Sequence, residues 1–238
     1  MKRLLAIILL ALPALCPAQT APELYDRGDY LGAAAAYGAL IEQSPGPNPY
    51  LYYNLANSYF KAGDSDKAVV NYYRAFRLLP RGREIKNNLA FALNSAGQRL
   101  APEGVPQAAF DLYYFFSGAE LKGLTWLFVW LFAFSFALLV FTRKKDFAKK
   151  AAAVCLAGAF IFGLWHALRC GADNAALAVT TAARAEVRSG PGAAFPVGLS
   201  VPRAHILVVS DNKDDWAEVS IPGQNTTGWV LKQSIEEI

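Results

Sequence analysis

The chain has 238 residues, 54% hydrophobic and 18% charged, with a formal net charge of +4. The positive excess is concentrated at Lys2, Arg3 and the run from Arg143 to Lys150, so the remainder is slightly acidic and offers no broad basic surface for nucleic acid. Two histidines, with no nucleophile–base motif, phosphate-cradling glycine loop or paired carboxylates beside them, point away from an enzyme and call for no cofactor.

Residues 1–18 read as a secretory signal peptide. Lys2 and Arg3 precede the apolar run Leu4 to Leu15, and Cys16-Pro17-Ala18 sets small residues at the −3 and −1 positions of a cut after Ala18. Leu15 is a poor neighbour for a lipidated Cys16. Left uncut, the segment is an N-in anchor and the later topology is unchanged.

Residues 19–100 carry an internal repeat. Tyr52, Leu55, Ala56 and Tyr59, then Ala68, Tyr72, Ala75 and Pro80, follow the large–small alternation of the 34-residue tetratricopeptide pattern, which is a pair of antiparallel helices. Gly63 ends the first helix and Asp64 is placed to cap the second. Tyr25, Gly28-Asp29, Ala33, Tyr37 and Pro45 form an upstream copy, with Gly28 and Gly63 35 residues apart. Asn88-Leu89-Ala90 repeats Asn54-Leu55-Ala56 34 residues on, within a third helix around Ile85 to Ser95. Such arrays hold extended peptides on a concave face lined by first-helix residues. That selects Tyr53, Asn54, Asn57 and Phe60, with Asn88 from the next helix, as candidate peptide-binding residues, since asparagine amides bond a ligand backbone in both directions. The alternative for Asn54 and Asn88 is hydrogen bonding to neighbouring turns. Arg74, Arg77, Arg81, Arg83 and Lys86 form a basic cluster, either a solvated face near helix C-termini or a site for an acidic partner.

Residues 101–123 are a linker. Pro102, Gly104 and Pro106 break the helix, and the aromatic stretch Phe110 to Phe116, too short to span a bilayer, suits either the membrane interface or packing against a partner's membrane helix. Two apolar segments follow, 124–141 and 151–169, the second interrupted by His166 before Arg169. Each is about 27 Å of helix, close to a hydrocarbon core of about 30 Å. The short basic loop 142–150 forces an antiparallel hairpin and places itself in the cytoplasm, so the domains before and after share the opposite side. Cys155 and Cys170 are about 22 Å apart along one helix, beyond disulfide reach, which leaves an intermolecular Cys170 bridge as the one pairing open. His166 and Cys170, four residues apart, do not complete a metal site.

Residues 174–238 alternate short apolar strands with turns. Strands are expected at 176–181, 185–188, 206–210, 216–220 and 227–231, and five or six in this length suggest a small all-β barrel. The string Val187-Arg188-Ser189-Gly190-Pro191, with Trp216, Val219 and Gly228-Trp229-Val230, resembles the bacterial SH3-like (SH3b) domain. Pro202-Arg203-Ala204 stands where that family usually has a glycine. The resemblance implies binding of cell-wall peptides or proteins, with Trp216 and Trp229 as the candidate ligand face if they are not core residues.

The fold class is therefore a multidomain membrane protein: α-helical tetratricopeptide hairpins, a two-helix transmembrane hairpin and a C-terminal SH3-like barrel. Their order is similar to that of BatE-type proteins, the E component of the aerotolerance Bat set. That resemblance implies a two-pass protein of a Gram-negative inner membrane with both end domains in the periplasm, partners bearing von Willebrand factor A domains, an associated MoxR-type AAA+ ATPase, and a role in stress tolerance or envelope maintenance. The alternative is a peptidoglycan-binding protein that recruits a cell-wall hydrolase.

Overall fold

A computed structural model describes residues 19–141, 145–173, 175–222, 224 and 226–238. The segment 1–18, expected to be a signal peptide, and residues 142–144 of the basic loop lie outside them.

Five helices form the N-terminal array: α1 (Ala21–Asp26), α2 (Tyr30–Gln43), α3 (Pro49–Ala62), α4 (Ser65–Leu78) and α5 (Arg83–Ser95). Gly28 and Gly63 end the first helix of each hairpin with φ of +85° and +88°, a left-handed turn that costs glycine nothing. Asp29 caps α2 as its position suggests, accepting from Gly32 N–H at 2.9 Å. Asp64 holds the equivalent position before α4 but makes no capping bond. Its carboxylate instead lies 3.5 Å from Arg203 of the C-terminal module. Fully buried Ala56, Ala68 and Ala75 let α3, α4 and α5 approach, and Val69, Val70, Phe76, Leu89 and Leu93 fill the space between them. Each such large side chain is worth about 1.5–3 kcal/mol when removed from water.

The linker contains α6 (Gln107–Tyr113), and the aromatic stretch is a joint. Phe110 and Tyr114 pack on Phe76 of α4, while Phe116 meets Phe162 and Trp165. The apolar helix against which it packs is the chain's own.

Two helices, α7 (Gly118–Phe141) and α8 (Lys145–Asp173), are long and apolar enough to cross a membrane. Only 6% of the most apolar window of each is buried within the protein, unlike the core helix of a soluble domain. Both begin before the apolar segments picked out in the sequence. Ser117 and Glu120 start α7 with reciprocal bonds: Ser117 N–H donates to the Glu120 carboxylate at 2.9 Å and Glu120 N–H to Ser117 Oγ at 3.3 Å. The helices meet where the Phe128 ring lies over Gly158 and stacks on Phe162 at 5.4 Å.

The C-terminal module is one seven-stranded antiparallel sheet in the order β3-β2-β6-β5-β4-β1-β7. Its strands are β1 (Ala176–Thr180), β2 (Arg184–Arg188), β3 (Val197–Pro202), β4 (Ile206–Lys213), β5 (Trp216–Ser220), β6 (Thr227–Leu231) and β7 (Ile235–Glu237). Among the described residues β3 and β7 remain edges, so the expected barrel is present as strands and hairpins but not as a closed ladder. Ala178, Val187, Leu207, Val219 and Val230 make the core of the sheet. Ala204 has a φ of +64°, so the turn between β3 and β4 holds an alanine in the left-handed region that favours glycine.

The array and the sheet share a hydrophobic core. Val179, Ala204 and Ile206 belong to the same buried cluster as Val69, Phe76 and Leu89. Strand alternation explains how: Ala178 faces the sheet interior and Val179 the helices. Polar ties ring this contact. Ile206 N–H donates to Gln98 Oε1 at 2.8 Å, Gln98 Nε2 returns a bond to Ile206 O at 3.3 Å, and Arg74 donates to Glu237 O at 3.0 Å. Arg203 reaches Asp66 at 2.7 Å as a charge contact, without the alignment of a hydrogen bond.

Candidate functional site

The inner surface of the array holds a cavity of about 340 Å³ lined by residues of α1, α3, α4 and α5. Tyr53, Asn57 and Phe60 come from successive turns of α3, so helical periodicity puts them in one row. Asn88 enters from α5, in the next unit of the repeat. Four of the five residues selected from the sequence thus meet in one place.

Asn54 does not join them. Its backbone carbonyl accepts from Ser58 Oγ at 2.9 Å, and its side chain is not part of the lining. The 34-residue repeat pairs Asn54 with Asn88 in sequence, whereas in space Asn88 meets Asn57. The inter-helix crossing brings α5 against the turn of α3 that follows Asn54.

Hydrogen bonds fix the floor. Tyr72 OH donates to Asn57 Oδ1 at 2.6 Å, and Asn88 Nδ2 donates to Asn57 Oδ1 and to the Tyr53 hydroxyl, each at 3.1 Å. Burial raises the Tyr72 phenol well above its ordinary value, with the neighbouring Tyr53 adding to the shift. The walls are aromatic: Tyr25 and Tyr53 at one end of the α3 row, and Phe60 edge-on to Phe91 at 5.8 Å at the other. Lys61 stands exposed at the rim. Tyr25, Tyr72, Lys61 and Phe91 are members that sequence reasoning did not select. Tyr72 was readable only as a space filler, and Lys61 had a signal in its spacing, one turn after Asn57.

The basic cluster is largely spent on the chain's own structure. Arg74 holds the end of β7, Arg81 pairs with Glu120 and lies over the Phe115 and Phe116 rings, and Lys86 bonds Asp111 at 2.8 Å. The Lys86 bond holds the Asp111 carboxyl below its usual range.

Trp216 and Trp229 are half-buried on the sheet face opposite the Ala217–Val219–Val230 core. Cross-strand register sets Trp216 against Leu231 and Trp229 against Glu218, so the two indoles are diagonal neighbours on one face. They are outward side chains of a paired sheet, not core residues.

Residues 49–81 match the family model described as tetratricopeptide repeat. The chain is 32% identical over 84 residues to the photosystem I assembly protein Ycf3 of Cyanophora paradoxa, covering 34% of this chain and 49% of that protein. It is 30% identical over 88 residues to Ycf3 of Rippkaea orientalis, covering 36% of this chain and 51% of that one. The chain therefore spans about half the length of the curated relatives it matches. A tetratricopeptide repeat is present. Such repeats are protein-interaction modules with no chemistry of their own.

Proposed function

We propose that this chain is a non-enzymatic membrane scaffold whose tetratricopeptide groove holds an extended segment of a protein partner. The observation that carries the proposal is the cavity itself: aromatic walls around a floor of hydrogen-bonded amides, built from more than one repeat unit. The two apolar helices support a two-pass topology, and the basic loop favours groove and sheet on the periplasmic side of an inner membrane. The C-terminal sheet is read as an SH3-like module, supported by its Val187-Arg188 hairpin, its Gly228-Trp229 strand and the left-handed turn at Ala204. The module order supports a BatE-type role beside von Willebrand factor A domain proteins and a MoxR-type ATPase. An assembly role, as named for the photosystem I relatives, is consistent with a protein that holds others in place.

The test is in-cell crosslinking and affinity capture of the full chain, comparing wild type with Tyr53→Ala/Asn57→Ala. Near-stoichiometric recovery of membrane proteins with von Willebrand factor A domains, lost in the groove variant, is the expected result. Equal recovery by both forms would show that the groove is not the holding site. Muropeptides or wall hydrolases in place of such partners would replace the scaffold with a peptidoglycan-binding role.

A further inference from the structure

The hydrogen-bond directions in the groove state what it still has to offer. Asn57 Oδ1 already accepts two bonds, from Tyr72 and Asn88, which leaves the two N–H donors of this cavity-lining amide for a ligand. Both Asn88 N–H groups are used, on Asn57 and Tyr53, leaving its Oδ1 as an acceptor. The Tyr53 hydroxyl accepts one of these bonds and keeps its own proton to donate. One helical turn beyond Asn57, Lys61 is exposed, and no carboxylate lines the cavity. The cavity is therefore rich in donors, carries one cation and has few acceptors.

Resting on the groove reading above, we infer that the bound segment is an extended peptide whose own acidic side chain sits on Asn57 and Lys61, between apolar or aromatic neighbours. A carboxylate accepts several hydrogen bonds at once and offsets the lysine charge, and bonds of this charge-assisted type are the stronger ones. The walls indicate a passing chain in preference to a chain end. Apolar surface lies on both sides of the donors along α3, Tyr53 with Tyr25 before Asn57 and Phe60 with Phe91 after it. From Tyr53 to Phe60 the helix advances about 10 Å, the reach of about three extended residues. The acid thus lies within two or three residues of a large apolar side chain on either side.

The experiment uses the full chain in detergent micelles and fluorescence anisotropy of capped, labelled decapeptides on a Ser/Gly background. One series carries Leu-Ser-Glu-Ser-Phe, with Gln or Lys replacing Glu in its controls. A second places the only carboxylate at a free C-terminus. The capped Glu peptide should bind about three- to tenfold tighter than the Gln form, with the advantage shrinking as salt rises. Lys61→Met, at an exposed position, should abolish the Glu-over-Gln preference. Equal binding of Glu and Gln forms overturns the inference while leaving a peptide groove in place. Binding that requires the free terminus overturns the choice of an internal acid. If none of the capped or free peptides binds, the inference fails, and partner capture by the Tyr53→Ala/Asn57→Ala variant then decides separately whether the groove reading fails with it.

Discussion

Arg169 near the end of α8 is fully buried, and replacing it tests whether the apolar hairpin is fastened to the array. Its guanidinium donates to the carbonyls of Tyr113 and Phe116 at 3.2 and 3.3 Å and stacks on the Tyr114 ring at 4.3 Å. The carbonyl end of α6 is where a helix dipole favours a cation. In Arg169→Ala the Tyr113 carbonyl keeps a bond from the Trp165 indole at 3.3 Å, while the Phe116 carbonyl loses the guanidinium. Two charge-assisted bonds at about 1.5–3 kcal/mol each and a desolvated cation–π contact of about 1–2 kcal/mol set the gross loss. Relief of the buried charge returns several kcal/mol of this, leaving a net cost of about 3 kcal/mol. The loss should be local, because α6 separates from α8 before the array unfolds. Hydrogen exchange in micelles should then speed up about 100-fold at Tyr114, whose N–H bonds Phe110 O at 3.0 Å. Arg169→Lys should recover little, since an ammonium has neither the fork nor the plane to stack. Unchanged exchange at Tyr114 in a folded Arg169→Ala chain would refute the fastening.

At Gly158 a Cβ would lie 2.4 Å from the Phe128 ring, which is itself stacked on Phe162; Gly158→Val should therefore destabilise the hairpin by about 1–3 kcal/mol in micelle thermal unfolding, with Gly163→Ala, only 3.5 Å from Thr125, as the near-neutral control. Arg203→Ala strands the buried Asp66 carboxylate at the array–sheet contact. Because Arg203 is partly exposed the loss should be about 1–2 kcal/mol by thermal melting, and Asp66→Asn added to it should recover part. Burial raises the folded-state pKa of Tyr72 above the unfolded value of about 10, so its contribution is complete below pH 10 and is lost as pH rises through the folded pKa. Alkaline melts should show this decline, and Tyr72→Phe should flatten it while costing about 1 kcal/mol at neutral pH through the lost bond to Asn57.

Helix pairs, apolar spans and most strands were legible because each rests on periodicity along the chain. The hairpin turns at Gly28 and Gly63 and the alanines that let the helices approach have local causes, and the sequence displays them. Strand β3 escaped notice because Pro196, Gly198 and Pro202 disguise it as a loop, and β7 because two of its three residues are glutamates. Asp64 shows a different limit. Its position after a left-handed glycine is that of a capping residue, but an arginine 139 residues away in sequence draws its carboxylate out of the capping role. Local propensity cannot anticipate a long-range ion pair. Of the residues that repeat spacing picked out, Tyr53, Asn57, Phe60 and Asn88 line the cavity and Asn54 does not, because equivalent positions in consecutive repeats need not touch. Arg169 stands in the sequence only as the end of the second apolar segment; its burial depends on α6, whose docking no pattern in the chain announces.

These tertiary contacts change what the module order means. Modules joined by linkers would present the groove and the Trp216–Trp229 face at independent orientations. Here Val179, Ala204 and Ile206 enter the core of the array, and Gln98 pairs with Ile206 through both its amide atoms. Phe76 touches Phe110 and Tyr114, and Tyr114 in turn carries Arg169, so one residue of α4 links the array core to the end of the apolar hairpin. With both joints closed, the separation of groove and indole face is set by packing instead of chain length. A partner that engages both surfaces then avoids the ordering cost of a flexible linker, but only if its own two binding segments match that separation. If groove and indole face both take partners, as proposed above, the fastening would select partner geometry, and weakening either joint should relax selectivity before it abolishes binding.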